Sequence, residues 1–343
     1  INSLLRTNRE VDDFRSFVEL DVGDETIGGI PVPEFEKYEF HFENVSFKYP
    51  KSEKYALKNL TLTVKAEERL AVVGLNGAGK TTLIRCATNI TKFDSGQILL
   101  NGKEVSEKEI MKIGYLPEER GLYKDFGVEE QIVYLSRLKG LSKNIAKERC
   151  RFWLKKLDLL NTAKRKTGSL SKGMQQKIQF IVAVIHEPSL LILDEPFSGF
   201  DPINSEQIKN EIQELRNNGT TIIFSSHNMA SVEELCSDIA LLNDGKIILN
   251  GSITEIKRRF SDDSFVITYD NDSVSLSNSN LYSITEFKEK SVTVKKNSGV
   301  STNQLIVELS KDFEITSFNK KESSLNEIFI RTIETTKQQV NLL

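Results

Sequence analysis

The fold of this chain is decided by residues 69–82, which read Arg69-Leu70-Ala71-Val72-Val73-Gly74-Leu75-Asn76-Gly77-Ala78-Gly79-Lys80-Thr81-Thr82. Residues 69–73 form a short apolar run typical of a buried strand, and the residues from Thr81 onward have helical spacing. Between them, residues 74–81 match the pattern G-x-x-x-x-G-K followed by Ser or Thr. Its glycines let successive backbone N–H groups face phosphate oxygens, and the helix N-terminus adds its dipole. The sequence therefore predicts a strand, a phosphate-binding loop and a helix in an α/β core.

The positions of this loop predict separate roles in nucleotide binding. Lys80 is expected to reach the β and γ phosphates, Thr81 to ligate Mg²⁺, and Thr82 to donate to the α phosphate. A tight glycine turn with an incidental lysine is the alternative, and the flanking strand and helix disfavour it. The predicted phosphate-binding residues are Gly74, Leu75, Asn76, Gly77, Ala78, Gly79, Lys80, Thr81 and Thr82.

Two acids follow a second apolar run, residues 190–193, which is typical of a buried strand. Open α/β sheets bind ligands at the carboxyl ends of their strands. Asp194 is therefore predicted to hold the hydration shell of Mg²⁺, and Glu195 to polarise the water that attacks the γ phosphate. The alternative is an exposed, solvated acid pair, which the preceding phosphate loop disfavours.

The segment Leu170-Ser171-Lys172-Gly173-Met174-Gln175 resembles the signature loop LSGGQ of the ATP-binding cassette (ABC) family, with Lys and Met at its third and fifth places. With the phosphate loop and the acid pair, it makes residues 38–251 resemble that family. The resemblance implies that the signature loop presents a hydroxyl and a backbone N–H to a γ phosphate bound by a second domain. A serine that only caps the following helix is the alternative. The signature positions are Leu170, Ser171, Lys172, Gly173 and Met174.

Three further positions are similar to motifs of the ABC family. Tyr49 resembles the aromatic residue that stacks on adenine, although a core aromatic is the alternative. His227 resembles the switch histidine that contacts the γ phosphate, so Glu195 and His227 are the predicted catalytic residues. His41 and His186 lack such a context and are expected to be packing or surface residues. The D-loop, which communicates between two ATP sites, is matched by Ser198, Gly199, Phe200 and Asp201.

Glu118 departs from the family pattern, which has Gln at this place. A glutamate can ligate Mg²⁺ but, when ionised, cannot donate a hydrogen bond as Gln can. We therefore predict Thr81, Asp194 and Glu118 as the metal-binding residues. The alternative is that Glu118 points away from the metal and contacts a membrane partner.

The patterning predicts a P-loop NTPase core with an antiparallel β subdomain and an inserted helical subdomain, followed by a small C-terminal α/β domain. Alternation from Tyr38 onward predicts the antiparallel strands, and continuous apolar runs such as residues 220–224 predict a buried parallel sheet. The expected boundaries are a linker or lead-in at 1–37, an ATP-binding domain at 38–251 with its helical subdomain at about 118–170, and the C-terminal domain at 252–343.

Composition excludes several classes of protein. The chain has 46 Lys+Arg against 49 Asp+Glu, a net charge of -3 that would not attract nucleic acid or an anionic membrane. Its longest mainly apolar stretch, residues 178–185, which contains Gln179, is far shorter than the roughly 20 residues of a spanning helix. The 3 cysteines are widely spaced, which predicts neither a disulfide framework nor a zinc site and fits a reducing compartment. Because the chain begins at Ile1 rather than Met, we expect it to be a piece of a longer one.

The resemblance implies an ATP-hydrolysing motor of an ABC transporter, a Mg²⁺-dependent translocase that binds ATP at an interface with a second ATP-binding domain in a homo- or heterodimer. It also implies an integral membrane permease as partner and a location at the cytoplasmic face of the cell membrane. Residues 115–123 resemble separate ATPase subunits of efflux systems, which favours export. Residues 1–75 instead resemble exporters that have both parts in one chain, and both architectures stay open.

Two other functions are alternatives. A soluble ABC-type ATPase acting on nucleic acid or ribosomes is disfavoured because such relatives usually have tandem cassettes or a long coiled coil, and this chain has one phosphate loop and no long heptad run. A module that binds ATP without turnover is disfavoured by Glu195.

Overall fold

A computed structural model describes residues 39–105, 107–119, 121–270 and 279–341. The chain divides into two compact units, Ile1–Asn250 and Gly251–Leu343. The lead-in predicted at residues 1–37 lies outside the described residues.

Two sheets and the helices around them form the first unit, and the last strand of these sheets ends just beyond it, at Ser252. In chain order its elements are β1 (Phe40–Phe47), β2 (Leu57–Val64), β3 (Arg69–Gly74), α1 (Lys80–Ala87), β4 (Ser95–Leu100), β5 (Lys103–Glu104), α2 (Glu107–Met111), β6 (Ile113–Leu116), α3 (Val128–Leu138), α4 (Lys143–Lys156), α5 (Lys172–Val184), β7 (Leu190–Asp194), α6 (Pro202–Asn217), β8 (Thr221–Ser225), α7 (Met229–Leu235), β9 (Asp238–Asn243) and β10 (Lys246–Ser252).

The first sheet is antiparallel, in the order β2-β1-β4-β5. Its alternating sequence buries one face: Phe40 and Phe42 are buried, whereas Glu43 is exposed. Phe42 belongs to the same apolar cluster as Val72 of β3 and Leu83 of α1. The predicted antiparallel subdomain is confirmed, and its core also supports the strand and helix on either side of the phosphate loop.

The second sheet has the order β10-β9-β3-β8-β7-β6, and its strands β9, β3, β8, β7 and β6 are parallel. The continuous apolar runs form these strands because both faces of the sheet are covered. In the register of the sheet, Asp194 lies beside Ser225 and Leu116 lies beside Leu193. The loops that follow β3, β6, β7 and β8 therefore start at the same edge.

Helices α3, α4 and α5 lie between β6 and β7, as the prediction of an inserted helical segment required. Ser142 and Ser171 begin α4 and α5 as N-caps, since their hydroxyl oxygens accept from the backbone N–H of Ile145 and Met174 at 3.4 and 3.3 Å. Two short 3₁₀ helices, Leu160–Thr162 and Thr167–Ser169, connect α4 to α5.

The second unit is a small α/β domain with an antiparallel sheet in the order β12-β13-β11-β14. Its core includes Ile267 and Val292 from the sheet with Leu305 and Leu309 from α9. Patterning identified most of its elements but missed α8 and β12. The elements are α8 (Ile253–Phe260), β11 (Ser264–Tyr269), β12 (Tyr282–Lys288), β13 (Ser291–Lys296), α9 (Thr302–Leu309), β14 (Ile315–Lys320) and α10 (Leu325–Asn341).

Within the described ranges, none of the helices has the length and apolar character needed to cross a bilayer. The three cysteines, Cys86, Cys150 and Cys236, are buried free thiols.

Candidate nucleotide-binding site

An open cleft of about 560 Å³ lies at the carboxyl edge of the parallel sheet. This volume is in the range of ordinary small-molecule sites. The cleft brings together residues from the phosphate loop, the loop between β1 and β2, and the ends of β6, β7 and β8. Its lining residues are Tyr49, Ser52, Lys54, Tyr55, Ala56, Asn76, Gly77, Gly79, Lys80, Thr81, Thr82, Glu118, Asp194, Glu195 and His227.

The phosphate loop joins β3 to α1 as predicted. Gly79 precedes the first residue of α1 at φ +109°, a backbone conformation that favours glycine. A Cβ at this position would also collide with the backbone oxygen of Ala56. Glycine is therefore required here both for the turn and for the approach of the neighbouring loop, which shapes one wall of the cleft.

The side chain of Lys80 is folded onto its own loop. Its Nζ donates to the backbone oxygens of Gly74 and Leu75 at 2.7 and 3.2 Å. Burial lowers the pKa of this lysine, and the carboxylates of Glu195, Asp194 and Glu118 act in the opposite direction. The cleft thus holds a buried amine whose charge is supported by three acids.

Asp194 is the most buried acid of the cleft, with 1% of its surface exposed. Ser225 donates its hydroxyl to Oδ1 at 2.7 Å, whereas the buried Oδ2 has no hydrogen-bond partner among the described residues. Burial raises the pKa of Asp194, while the hydrogen bond from Ser225, the nearby Thr81 hydroxyl and the charge of Lys80 oppose this. A buried carboxylate oxygen without a partner next to a threonine hydroxyl is the donor set that a hard cation such as Mg²⁺ takes.

Glu195 and His227 form a hydrogen-bonded pair. Glu195 has φ +48°, an uncommon conformation for a residue other than glycine. Its Oε1 lies 2.7 Å from Nδ1 of His227 and accepts from the backbone N–H of His227 at 3.0 Å, and Oε2 accepts from the hydroxyl of Ser226 at 3.3 Å. The carboxylate is thereby held in place, with Oε2 the less strongly engaged oxygen.

Tyr49 also lines the cleft, beside the start of α1. Its hydroxyl lies 3.1 Å from the Thr82 hydroxyl, and its ring packs edge-on against Phe47 at 4.8 Å between centroids. The ring is 43% exposed, so a face is available for a planar ligand. Tyr55 also lines the cleft, and sequence analysis did not predict it. The signal that could have identified it is an aromatic residue in a polar loop between two predicted strands.

Glu118 is exposed and lines the cleft in the loop after β6. Across the residues that the structure describes, no group of three or more His, Cys, Asp or Glu is arranged to hold a metal ion by itself. Magnesium is commonly held by one or two carboxylates, water and substrate phosphates, so a preformed protein cluster is not required.

The predicted signature loop and D-loop lie beside each other, and neither is among the segments that line the cleft, although the backbone N–H of Ser198 donates to the backbone oxygen of Glu195 at 3.0 Å. A Cβ on Gly173 would lie 3.7 Å from Cδ1 of Phe200. Ser171 caps α5, and Asp201 caps α6 by accepting from the backbone N–H of Asn204 at 2.9 Å. In this chain each of the two loops leads directly into the first turn of a helix.

Comparisons with known proteins agree with this geometry. The ABC transporter family profile matches residues 57–198. The ABC transporter ATP-binding protein YhaQ of Bacillus subtilis is 41% identical over 281 residues, which cover 81% of this chain and 93% of that protein. This chain belongs to the ABC transporter ATP-binding proteins. The predicted fold class and family of this ABC protein are confirmed.

Two other relatives extend the comparison. The linearmycin resistance ATP-binding protein LnrL of Bacillus subtilis is 33% identical, over 65% of this ABC protein and 72% of LnrL. A solved ATP-binding subunit of an ABC transporter is 29% identical with a TM-score of 0.60, over 64% of this chain and 92% of that one. Residues 251–333 match the C-terminal domain of DrrA1-3-like ATP-binding proteins. This ABC protein is the ATP-binding, ATP-hydrolysing motor of a transporter, and the two alternative functions are set aside.

Proposed function

We propose that this ABC protein hydrolyses ATP in a Mg²⁺-dependent reaction and uses it to drive export through a membrane permease. The observation that carries this proposal is the buried Asp194, with one oxygen unpaired, beside the Glu195–His227 pair and the phosphate loop. A phosphate loop, a cation-binding acid and an oriented base at one sheet edge are the parts that phosphoryl transfer requires.

The donor set of the cleft fits a magnesium ion. Thr81 and Asp194 would hold it, with Glu118 as a third oxygen ligand from the loop after β6. When bound, Mg²⁺ offsets the negative charge of the phosphates. The backbone N–H groups of the phosphate loop bind phosphate oxygens, Lys80 contacts the β and γ phosphates, Thr82 contacts the α phosphate, and Tyr49 supports the base.

Glu195 is the proposed general base. Nδ1 of His227 and the backbone N–H of the same residue both face Oε1, so Oε2 is the oxygen that accepts the proton from the attacking water. An ionised carboxylate only accepts hydrogen bonds, so His227 carries its proton on Nδ1. Contact of Nε2 with an oxygen of the γ phosphate then requires a proton on Nε2 as well, because phosphate oxygens only accept.

We propose that ATP binds between two ATP-binding domains, of the same or of different chains. In this chain, the signature residues, Leu170 to Met174, and the D-loop residues, Ser198 to Asp201, are not among those that line the cleft. A twofold dimer gives each cleft the signature loop of its partner. The start of α5, with its unpaired N–H groups, then faces the phosphates.

The proposed second partner is an integral membrane permease, which places this ABC protein at the cytoplasmic face of the cell membrane. Export is supported by the name of LnrL, a resistance protein, and by the resemblance of residues 115–123 to efflux subunits. In this arrangement residues 38–251 are the motor domain, with a helical subdomain at about 118–170, and residues 252–343 are an accessory domain.

Substitution of the base tests the proposal. Glu195→Gln should lower ATP turnover by about 10²-fold or more while keeping ATP binding, and a nucleotide-bound dimer should accumulate in size-exclusion chromatography with ATP. Glu148→Gln on α4, an exposed carboxylate outside the cleft, is the matched control and should hydrolyse normally. A Glu195→Gln protein that hydrolyses at the normal rate would contradict the assignment of the base.

A further inference from the structure

Gln179 lies on α5 and has no role in the function proposed so far. Its side chain is buried, with 5% exposed. Its amide nitrogen donates to the backbone oxygens of Pro117 and Glu119, both at 3.1 Å. These carbonyls stand on either side of Glu118, and an amide nitrogen has two hydrogens to donate. One side chain therefore holds the backbone before and after the acid that lines the cleft.

Close packing of α5 against β6 places Gln179 at this position. A Cβ on Gly114 in β6 would collide with the backbone oxygen of Ala183 in α5, so strand and helix touch there. Gln179 lies about one helical turn before Ala183, and Pro117 follows Gly114 along the strand direction. Helix and strand run in opposite directions, so the turn that carries Gln179 lies beside the end of β6.

The partners of the amide fix its orientation. Carbonyl oxygens accept hydrogen bonds and do not donate them, so the amide nitrogen and not its oxygen faces Pro117 and Glu119. The amide oxygen of Gln179 is buried and has no partner among the residues that the structure describes. A buried acceptor without a partner destabilises a fold. Stability alone therefore does not explain a glutamine at this position.

Glu118 is the residue that gains from this contact. Its side chain is exposed, so packing does not direct it, and its negative charge acts to raise the pKa of Lys80. We propose that Gln179 is a positioning residue, whose amide holds the segment around Glu118 so that this carboxylate faces the nucleotide cleft. The inference rests on the proposed function, because the role of Glu118 in the cleft is part of it.

Carbonyl ¹³C chemical shifts of Pro117 and Glu119, measured by NMR on the nucleotide-free chain, test the contact itself. Gln179→Met keeps a side chain of similar size without donors, and we expect both carbonyl carbons to move upfield, because they lose the hydrogen bond that deshields them. Gln179→Asn, whose amide is one methylene shorter, should give the same result and carries the test if the methionine variant does not fold. Unchanged carbonyl shifts at these two residues would overturn the inference.

Kinetics then test whether Gln179 acts through Glu118. Gln179→Met should lower kcat for ATP hydrolysis about tenfold and change KM for ATP by less than about twofold. In a Glu118→Ala background, the same substitution should change kcat by less than about twofold, since there is no carboxylate left to position. An equal loss of kcat in both backgrounds would show that Gln179 acts independently of Glu118 and would overturn the inference.

Gln207 offers a matched control. It is a half-buried glutamine of α6 whose amide donates to the backbone oxygen of Lys156 at 3.2 Å, and it contacts neither carbonyl beside Glu118. Gln207→Met should lower thermal stability without changing the carbonyl shifts of Pro117 and Glu119, and its effect on kcat should be the same with or without the Glu118→Ala change. A chain that does not hydrolyse ATP at all would count against the proposed function, whereas the carbonyl shifts still decide the role of Gln179.

Discussion

The nucleotide cleft and the signature loop are both predicted to contact ATP, but the fold holds them in different ways. In the cleft, burial raises the pKa of Asp194 and lowers that of Lys80, and Glu195 has a left-handed backbone. At the signature loop, Ser171 caps α5 by an ordinary hydrogen bond to the backbone N–H of Met174. Among the motif residues of these two regions, buried charges and a left-handed backbone occur in the cleft and not at the signature loop.

This difference supports the proposal that the chemistry takes place in the cleft. Strained or desolvated groups persist where function requires them, and they are sites of catalysis more often than of packing. The start of α5 has ordinary geometry, so it can present its N–H groups and a hydroxyl to an anion without a loss of stability. The cleft can therefore be the reacting half of a composite site, and the signature loop the half that completes the site of a partner.

Mixed dimers test this difference between the two regions most directly. Lys80→Ala damages the cleft, whereas Ser171→Asp keeps a good N-cap but repels phosphate. Each variant alone should lose about 10²-fold or more of its ATPase activity. A mixture should recover up to about a quarter of normal activity, because random twofold dimers then contain one intact cleft facing one intact signature loop. No recovery in the mixture would indicate that both parts act within one chain.

Substitutions of Tyr49 test how the cleft binds the base of the nucleotide. Tyr49→Ala should raise KM for ATP about tenfold with kcat little changed, since stacking on the base binds substrate and transition state alike. Tyr49→Phe keeps the ring but loses the contact with the Thr82 hydroxyl, and its KM should rise no more than about twofold. The measurement is steady-state ATPase kinetics, and equal KM values for the two variants would argue against stacking.

The smallest expected effect is on the pH dependence of the thermal midpoint. Burial raises the pKa of Asp194 above its ordinary 3.8, so its carboxylate destabilises the native state at neutral pH and this penalty disappears as pH falls through the raised pKa. Asp194→Asn should therefore raise the thermal midpoint at pH 7 by about 2–4 °C, with a smaller gain near pH 4. Scanning fluorimetry at several pH values would measure this.

Asp201 of the D-loop is the control for that experiment. Hydrogen bonds from Asn204 lower the pKa of Asp201. This carboxylate therefore stabilises the fold at pH values above its ordinary pKa, and the stabilisation is lost as pH falls through the lowered pKa. Asp201→Asn should leave the midpoint at pH 7 unchanged or slightly lower, since Asn is also a good N-cap. A rise in midpoint for both variants would remove the contrast between the two regions.

The sequence predicted those parts of the site that lie in short motifs. Residues 74–82 and the acids at the end of β7 were identifiable because each follows an apolar run that must be a buried strand. The register of parallel strands then brings their carboxyl ends to one edge. These predictions needed only local pattern and the geometry of sheets.

The parts that were missed depend on contacts between distant residues. Ser225 reaches Asp194 across 31 positions, and Gln179 reaches Pro117 across 62. No local spacing indicates which serine or glutamine will make such a contact. In the second unit, α8 was missed because it is short and ends in charged residues, although Ile253, Ile256 and Phe260 have helical spacing. Short helices are marginal on their own and depend on packing for their stability.

The two hydrogen bonds from Lys80 to its own loop also have a thermodynamic consequence. Because the amine already holds Gly74 and Leu75, the loop is shaped before nucleotide arrives, and little chain entropy remains to be lost on binding. For the amine to contact phosphate, it must exchange carbonyl partners for phosphate oxygens, which cancels part of the enthalpy gained. Calorimetry of ATP binding should therefore show a modest enthalpy with a small entropic penalty, which is opposite to the signature of a loop that orders around its ligand.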